Sequence, residues 1–228
     1  MPILVTPSRF TVAGATYDSL ITAISGLVGR WKCDNASGTT LTASTGSNGA
    51  IAASGVTYSS TGLVGDGGTA LTLDGSTGEL TAPVSNSQPV GSLIIWWKFT
   101  SDAGTIFRDN TSSAGVGWRM DISGTNPIVR ANGTEHTVST ITSASLKDGL
   151  RHMFVVTMDG TTAKLYVDGV QVDSWAKTGD FSMSTPAHFG RNGTTTGTAN
   201  FFGGVWDDIA YFSTTVAAAD ISALYAAS

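Results

Sequence analysis

Apolar residues along this chain recur mostly at every second position, in short runs closed by glycine and aspartate. Leu150, His152, Phe154, Val156 and Met158 share one face of an extended segment, and Arg151, Met153, Val155 and Thr157 share the other. Both faces are largely apolar, which places this segment in the middle of a sandwich. Residues 92–99 (SLIIWWKF) are continuously apolar and predict a central strand covered on both sides. Val116, Trp118, Met120 and Ile122 alternate with Gly117, Arg119 and Asp121, the pattern of a half-buried strand. Residues 201–212 predict a further strand. Asp159-Gly160 and Asp168-Gly169 each sit between apolar runs and predict tight hairpins, because a type I′ turn needs positive φ.

Helical spacing marks the two ends. Asp18 precedes Leu20, Ile21, Ile24 and Leu27, one face of a short amphipathic helix with Asp18 as its N-cap. Residues 1–25 therefore read as a separate segment ahead of a domain at 26–228. It is either a helix packed on the domain's own flank or an arm that docks on a neighbour. At the other end, Val216, Ile221, Leu224 and Tyr225 share a face in an alanine-rich stretch and predict a second short helix.

Composition narrows the class. A chain of 228 residues suits one domain, and 28 glycines with only 13% charged residues favour many short strands over a helical bundle. The net charge of −5 and the lack of a basic stripe argue against a nucleic-acid partner. No apolar run approaches the ~20 residues of a membrane span, so no membrane insertion is expected. The start MPILVTPSRF lacks the basic and apolar regions of a signal peptide, so synthesis in the cytoplasm is expected. The single cysteine, Cys33, lies in the apolar run LVGRWKC and reads as a buried structural thiol.

Four segments occur in a telling order: GLVGRWKCDNASGTT; GLVGDGGTALTLDGSTGELTAP, with a turn at Asp74-Gly75; RHMFVVTMDGTTAKLYVDGVQV; and FFGGVWDDIAYFSTTVAAADISALYAA. Together they resemble the laminin-G-like, concanavalin-A-like domains of bacterial and phage structural proteins. The resemblance implies an all-β fold, a two-sheet antiparallel jelly-roll sandwich. To it this chain adds a short N-terminal arm or helix and a short C-terminal helix. The resemblance also implies a structural calcium, held by Asp207 or Asp208 with Asp34 and carbonyl oxygens of the opening loop. No other cofactor is expected. The turn Lys32-Cys33-Asp34-Asn35 is less acidic than in resembling domains.

Binding and catalysis divide on residue type. Trp96 and Trp97 read as core. A sugar-stacking platform needs an exposed aromatic beside polar side chains, which singles out Trp118 with Arg119 and Asp121, and Trp175 at a polar hairpin end. His136, His152 and His188 lack metal-ligand spacing. Hydrolases of this fold carry paired carboxylates in an E-x-D-x-(x)-E motif, and neither glutamate here, Glu79 or Glu135, lies in one. Asp66, Asp74, Asp148, Asp159 and Asp168 all precede glycine, and turn chemistry accounts for them. The expectation is a non-enzymatic virion structural protein of a phage, a capsid decoration or a fibre or spike component. Ile3, Leu4, Val5, Phe10, Leu20 and Ile24 would anchor it to capsid or tail proteins or to sister subunits. Its jelly-roll would hold bacterial surface glycans weakly, with avidity from many copies. Deleting residues 1–25 would then leave a folded domain that no longer assembles. The alternative is a free carbohydrate-binding lectin domain.

Overall fold

The computed structural model describes residues 14–46, 51–82, 86–99, 104–109, 118–122, 124–131, 134–176, 180–183, 187–192 and 200–228. Two antiparallel sheets face each other, as the sequence predicts. The nine-stranded sheet runs, in spatial order, Val170–Ala176, Thr162–Val167, Arg151–Asp159, Val90–Phe99, Gly203–Phe212, Leu27–Trp31 and Thr45–Gly46. Thr69–Asp74 also pairs with the first half of Gly203–Phe212 and carries Val56–Thr61 on its far side. The eight-stranded sheet runs Thr134–Thr137, Ile128–Ala131, Trp118–Asp121, Thr105–Asp109, Ala187–Phe189, Glu79–Ala82, Ile51–Ser54 and Thr40–Leu41.

The continuously apolar strand Val90–Phe99 shows why one run needs two cores. Strand geometry sends successive side chains to opposite faces. Leu93, Ile95, Trp97 and Phe99 therefore enter the core between the sheets, while Ile94 and Trp96 enter a second core on the outer side of the nine-stranded sheet. The neighbouring strand divides in the same way, with Phe154, Val156 and Met158 inside and Met153 and Val155 outside. Trp31, Trp97 and Trp206 are buried in the first core and Trp96 in the second.

Two helices, α1 (Tyr17–Ala23) and α2 (Ala218–Ala226), cover the second core. Asp18 is not the N-cap of α1. Thr16 takes that place, with its Oγ1 accepting the Ser19 N–H at 3.2 Å and Ser19 Oγ accepting the Thr16 N–H at 3.0 Å. Tyr17 and Ile21 are fully buried, and Leu20 and Ile24 pack beside them against the domain's own second core. The surface read as an anchor at Leu20 and Ile24 is thus largely used internally, and residue 25 is not a structural boundary. Ile3, Leu4, Val5 and Phe10 lie outside the described residues. Trp96 is the centre of this layer. Its Nε1 donates to Tyr17 Oη at 3.1 Å, and Tyr225 of α2 stacks on its ring with centroids 6.0 Å apart.

Asp18 instead joins a partly buried ionic group beneath α1. Arg30, 1% exposed, donates through Nε to both Asp208 oxygens at 2.9 and 2.8 Å, and through Nη2 to Asp208 and to Asp18 Oδ1, the latter at 2.6 Å. Lys32 Nζ lies 2.6 Å from Asp18 Oδ2 and 3.4 Å from Asp66 Oδ2. The Tyr17 ring lies under the Arg30 guanidinium at 5.4 Å. Burial pushes the Asp208 carboxyl up to about 6 against the pull of Arg30, and the adjacent Asp207 adds to the rise. Cys33 is buried with its thiol pushed up by burial, in keeping with a structural role.

Both predicted hairpins form. Asp168 and Gly169 have φ of 52° and 79°, the two positive values of a type I′ turn. At the other hairpin Asp159 ends its strand, and its Oδ1 accepts the Thr161 and Thr162 N–H groups, leaving Gly160 at φ 101° to make the reversal. Asp168 also holds His152, whose Nδ1 lies 2.8 Å from Asp168 Oδ2 and whose Nε2 lies 3.1 Å from Asp148 Oδ1. Burial works against the imidazolium, but the two carboxylates outweigh it and hold His152 above its ordinary value of 6.5. A raised folded-state value means the stabilisation is full below about 6.5 and is lost as pH rises through the folded value. The thermal midpoint is expected to fall between about pH 6 and about pH 9, and to fall less in His152→Gln. Equal slopes would exclude His152 as the group responsible.

Candidate functional site

The two outer faces of the sandwich differ. Helices α1 and α2 cover much of one. On the other, the eight-stranded sheet carries a polar row that its register sets out. Glu135, Arg130, Arg119, His188 and Thr81 lie on successive partner positions, linked through backbone position 108, and partners share a face. The next level, His136, Val129, Met120, Phe107, Phe189 and Leu80, faces inward, and all but His136 belong to the inter-sheet core. The outer row therefore follows from the alternation that builds the core.

Ion pairs fix the described side chains of this row. Arg119 pairs through Nε and Nη2 with Asp121, whose Oδ1 accepts the Thr105 hydroxyl at 2.5 Å. Asp121 is 3% exposed, so a buried carboxylate holds the partly exposed Arg119 guanidinium in place. Arg130 pairs with Glu135. Glu79 accepts from Arg191 Nη1 at 3.0 Å on both oxygens and lies 3.2 Å from His188 Nδ1. The Arg191 guanidinium lies over the Phe201 ring at 5.6 Å. Such a face offers fixed N–H donors beside carboxylate acceptors, which is the chemistry that hydroxyl-rich ligands match.

Of the residues singled out for a stacking platform, the structure brings Arg119 and Asp121 together on this face. The Trp118 side chain lies outside the described residues. Trp175 belongs elsewhere. It sits on the edge strand of the other sheet, stacked on His136 with centroids 4.4 Å apart and planes 11° from parallel, and packs against the inter-sheet core. His136 in turn lies 3.0 Å from Asp173 Oδ2. This cross-sheet contact closes the sandwich edge and occupies one face of the Trp175 ring. Sequence reasoning missed Arg130, which only strand pairing makes a neighbour of Arg119, and the Glu79, His188 and Arg191 group, which meets further along the face. The one available signal was the polar alternate of each strand.

The residues read as calcium ligands do not fit that ion. A β-bulge between Asp207 and Ile209 breaks strict alternation and lets both neighbouring acids be buried. Asp207 Oδ2 accepts the Leu63 and Val64 N–H groups at 2.7 and 3.0 Å, while Asp208 is taken by Arg30. Both carboxylates are satisfied by donors, whereas Ca²⁺ needs 6–8 free oxygen ligands. Asp34 is exposed on its own loop. Among the described residues no group of three or more His, Cys, Asp or Glu side chains is placed to hold a metal ion.

Residues 74–222 match the family described as the concanavalin A-like lectin/glucanases superfamily. No curated protein matches the chain by sequence. Among solved structures, domain 4 of AbnA, a GH43 extracellular arabinanase from Geobacillus stearothermophilus in complex with arabinotriose, superposes with a TM-score of 0.64 at 17% identity. That match covers 87% of this chain and 98% of that one. The binding domain of Paraclostridial Mosquitocidal Protein 1 gives 0.67 at 13% identity, over 88% of this chain and 52% of that one. The binding domain of Botulinum Neurotoxin DC in complex with SialylT gives 0.62 at 13%, over 89% and 51%. The chain thus spans about half the length of these two toxin structures. At such identities the likeness is one of fold.

Proposed function

Because the chain belongs to the concanavalin A-like lectin/glucanases superfamily, we propose that it is a non-catalytic carbohydrate-binding domain with the outer face of its eight-stranded sheet as the ligand surface. The observation that carries this reading is the row of fixed Arg–carboxylate pairs on the outer side of the eight-stranded sheet, opposite a face packed by helices. The arabinanase domain bound to arabinotriose and the toxin domain bound to SialylT lend it support from two unrelated contexts. The placement in a phage particle gains nothing from these likenesses, and the free lectin reading takes its place.

The non-catalytic part of the proposal rests on spacing. Glu79 and Glu135 lie on strands five positions apart in the sheet, about 24 Å at the usual strand spacing. Paired-carboxylate hydrolysis needs roughly 5–9.5 Å. Both glutamates are also engaged with arginine.

A glycan panel that includes arabinotriose and sialylated oligosaccharides tests the reading, followed by calorimetry on any hit. Arg119→Ala is expected to weaken binding about tenfold or more, the loss of one charged hydrogen-bonding group. Arg130→Ala, at a more exposed pair, serves as the variant least disturbed in folding. Absence of any glycan ligand, or unchanged binding in both variants, would refute the assignment.

A further inference from the structure

The outer side of the nine-stranded sheet is not wholly covered by the helices. Beside them lies an open hollow of about 600 Å³, lined by Ser60, Thr61, Lys98, Leu150, Arg151 and Val205. Arg151 and Lys98 are direct cross-strand partners, and Val205 is the partner of Lys98 on its other side. Two cations directly opposite on neighbouring strands repel each other. The structure relieves this for Arg151 alone. Its guanidinium donates to the carbonyl oxygens of Leu63 and, at 3.1 Å, Ser228, and lies over the Trp96 ring at 5.4 Å. Lys98 is half-buried and has no acceptor or carboxylate partner among the described residues.

We propose that this hollow is an oxyanion-binding site in which Lys98 supplies the charge and Arg151 a second cation, with Ser60, whose Oγ shares a 2.5 Å hydrogen bond with Thr72 Oγ1, at its edge. A half-buried ammonium beside a guanidinium, with no carboxylate paired to it among the described residues, sets up a local positive field that an anionic group would neutralise. Leu150, 64% exposed at the rim, adds an apolar contact for a ligand larger than a bare ion. The ligand class is a carboxylate, sulfate or phosphate, either as a free inorganic ion or carried on an acidic saccharide. The site lies on the opposite side of the sandwich from the Arg119 face and does not depend on it.

The test titrates the full chain at low ionic strength with sodium sulfate, with a uronic-acid oligosaccharide, and with a neutral oligosaccharide of equal length. Binding is followed by calorimetry and by the Lys98 side-chain NMR signal. Binding of either anionic probe is expected to weaken about tenfold in Lys98→Gln, the loss of one charge-assisted hydrogen bond. It should survive in Lys98→Arg and in Arg119→Ala, and the neutral sugar should leave Lys98 unshifted. Equal response to sulfate and uronate identifies a simple oxyanion site, whereas response to uronate alone identifies an acidic-sugar site. Failure of both anions to bind, or equal binding by Lys98→Gln, overturns the proposal. The Arg119→Ala arm separates that failure from failure of the glycan face.

Discussion

Replacing Arg30 by leucine is expected to destabilise the fold by about 3–5 kcal/mol, the usual result of removing one partner from a buried ion pair. Arg30 and Asp208 are both 1% exposed, and Arg30 also reaches Asp18 on α1. Without the guanidinium, Asp208 is a buried carboxylate beside Asp207, with neither water nor a cation. A carboxyl whose folded value already stands at about 6, above its ordinary 3.8, favours folding most at low pH and loses that contribution as pH rises through the folded value. Removal of Arg30 takes away the pull that keeps this value from rising further. The gap between wild type and Arg30→Leu should therefore widen from about pH 5 to about pH 8, because only at the higher pH must the unpaired carboxylate be charged. Urea midpoints at the two pH values measure it. A gap under about 1 kcal/mol, the usual scale of an exposed pair, would show that water reaches the site. Arg30→Leu with Asp208→Leu should recover much of the loss, since an apolar pair of similar volume removes the stranded charge.

How far the sequence revealed this molecule depends on the kind of interaction. The sandwich was legible because strand alternation, Asp-Gly turns and the doubly apolar run at 92–99 are local signals. Even the opposed burial of Trp96 and Trp97 follows from strand period once both faces are known to be covered. The ionic group under α1 was not legible, since Arg30 and Asp208 lie 178 residues apart and meet only through strand pairing and a bulge. The calcium reading failed because the donors that occupy the two carboxylates, Leu63 and Val64 N–H for Asp207 and Arg30 for Asp208, lie far away in sequence. The stacking of Trp175 on His136 was not legible for a related reason. Its strand looked polar enough to be open, but the ring closes the sandwich edge against His136, a contact between sheets that no local pattern encodes. Arg119 and Asp121 were found because they share one strand and therefore one face. The rest of their row came only with the register.

Deleting residues 1–25 should unfold the domain or leave it far less stable, contrary to the expectation of an independent arm. Burial of a large apolar side chain stabilises by about 1.5–3 kcal/mol, so Tyr17 and Ile21 together contribute about 3–6 kcal/mol. Small and medium domains are stable by only about 5–15 kcal/mol in total. The truncation also takes Asp18 from Arg30 and Lys32, and takes the acceptor of the Trp96 indole N–H. It would uncover Ile94, Ala210 and Phe212 on the outer side of the nine-stranded sheet, an apolar surface that favours aggregation. Because a truncated chain that fails to express gives no number, Ile21→Ala supplies one, with an expected loss of about 2–5 kcal/mol for a fully buried site. A truncated chain with an unchanged urea midpoint, or an Ile21→Ala loss within about 0.5 kcal/mol as at a surface site, would return residues 17–24 to the role of a detachable arm. The expected outcome makes α1 part of the domain, packed on the outer side of the nine-stranded sheet, with the inter-sheet core and the eight-stranded sheet between it and the Arg119 face.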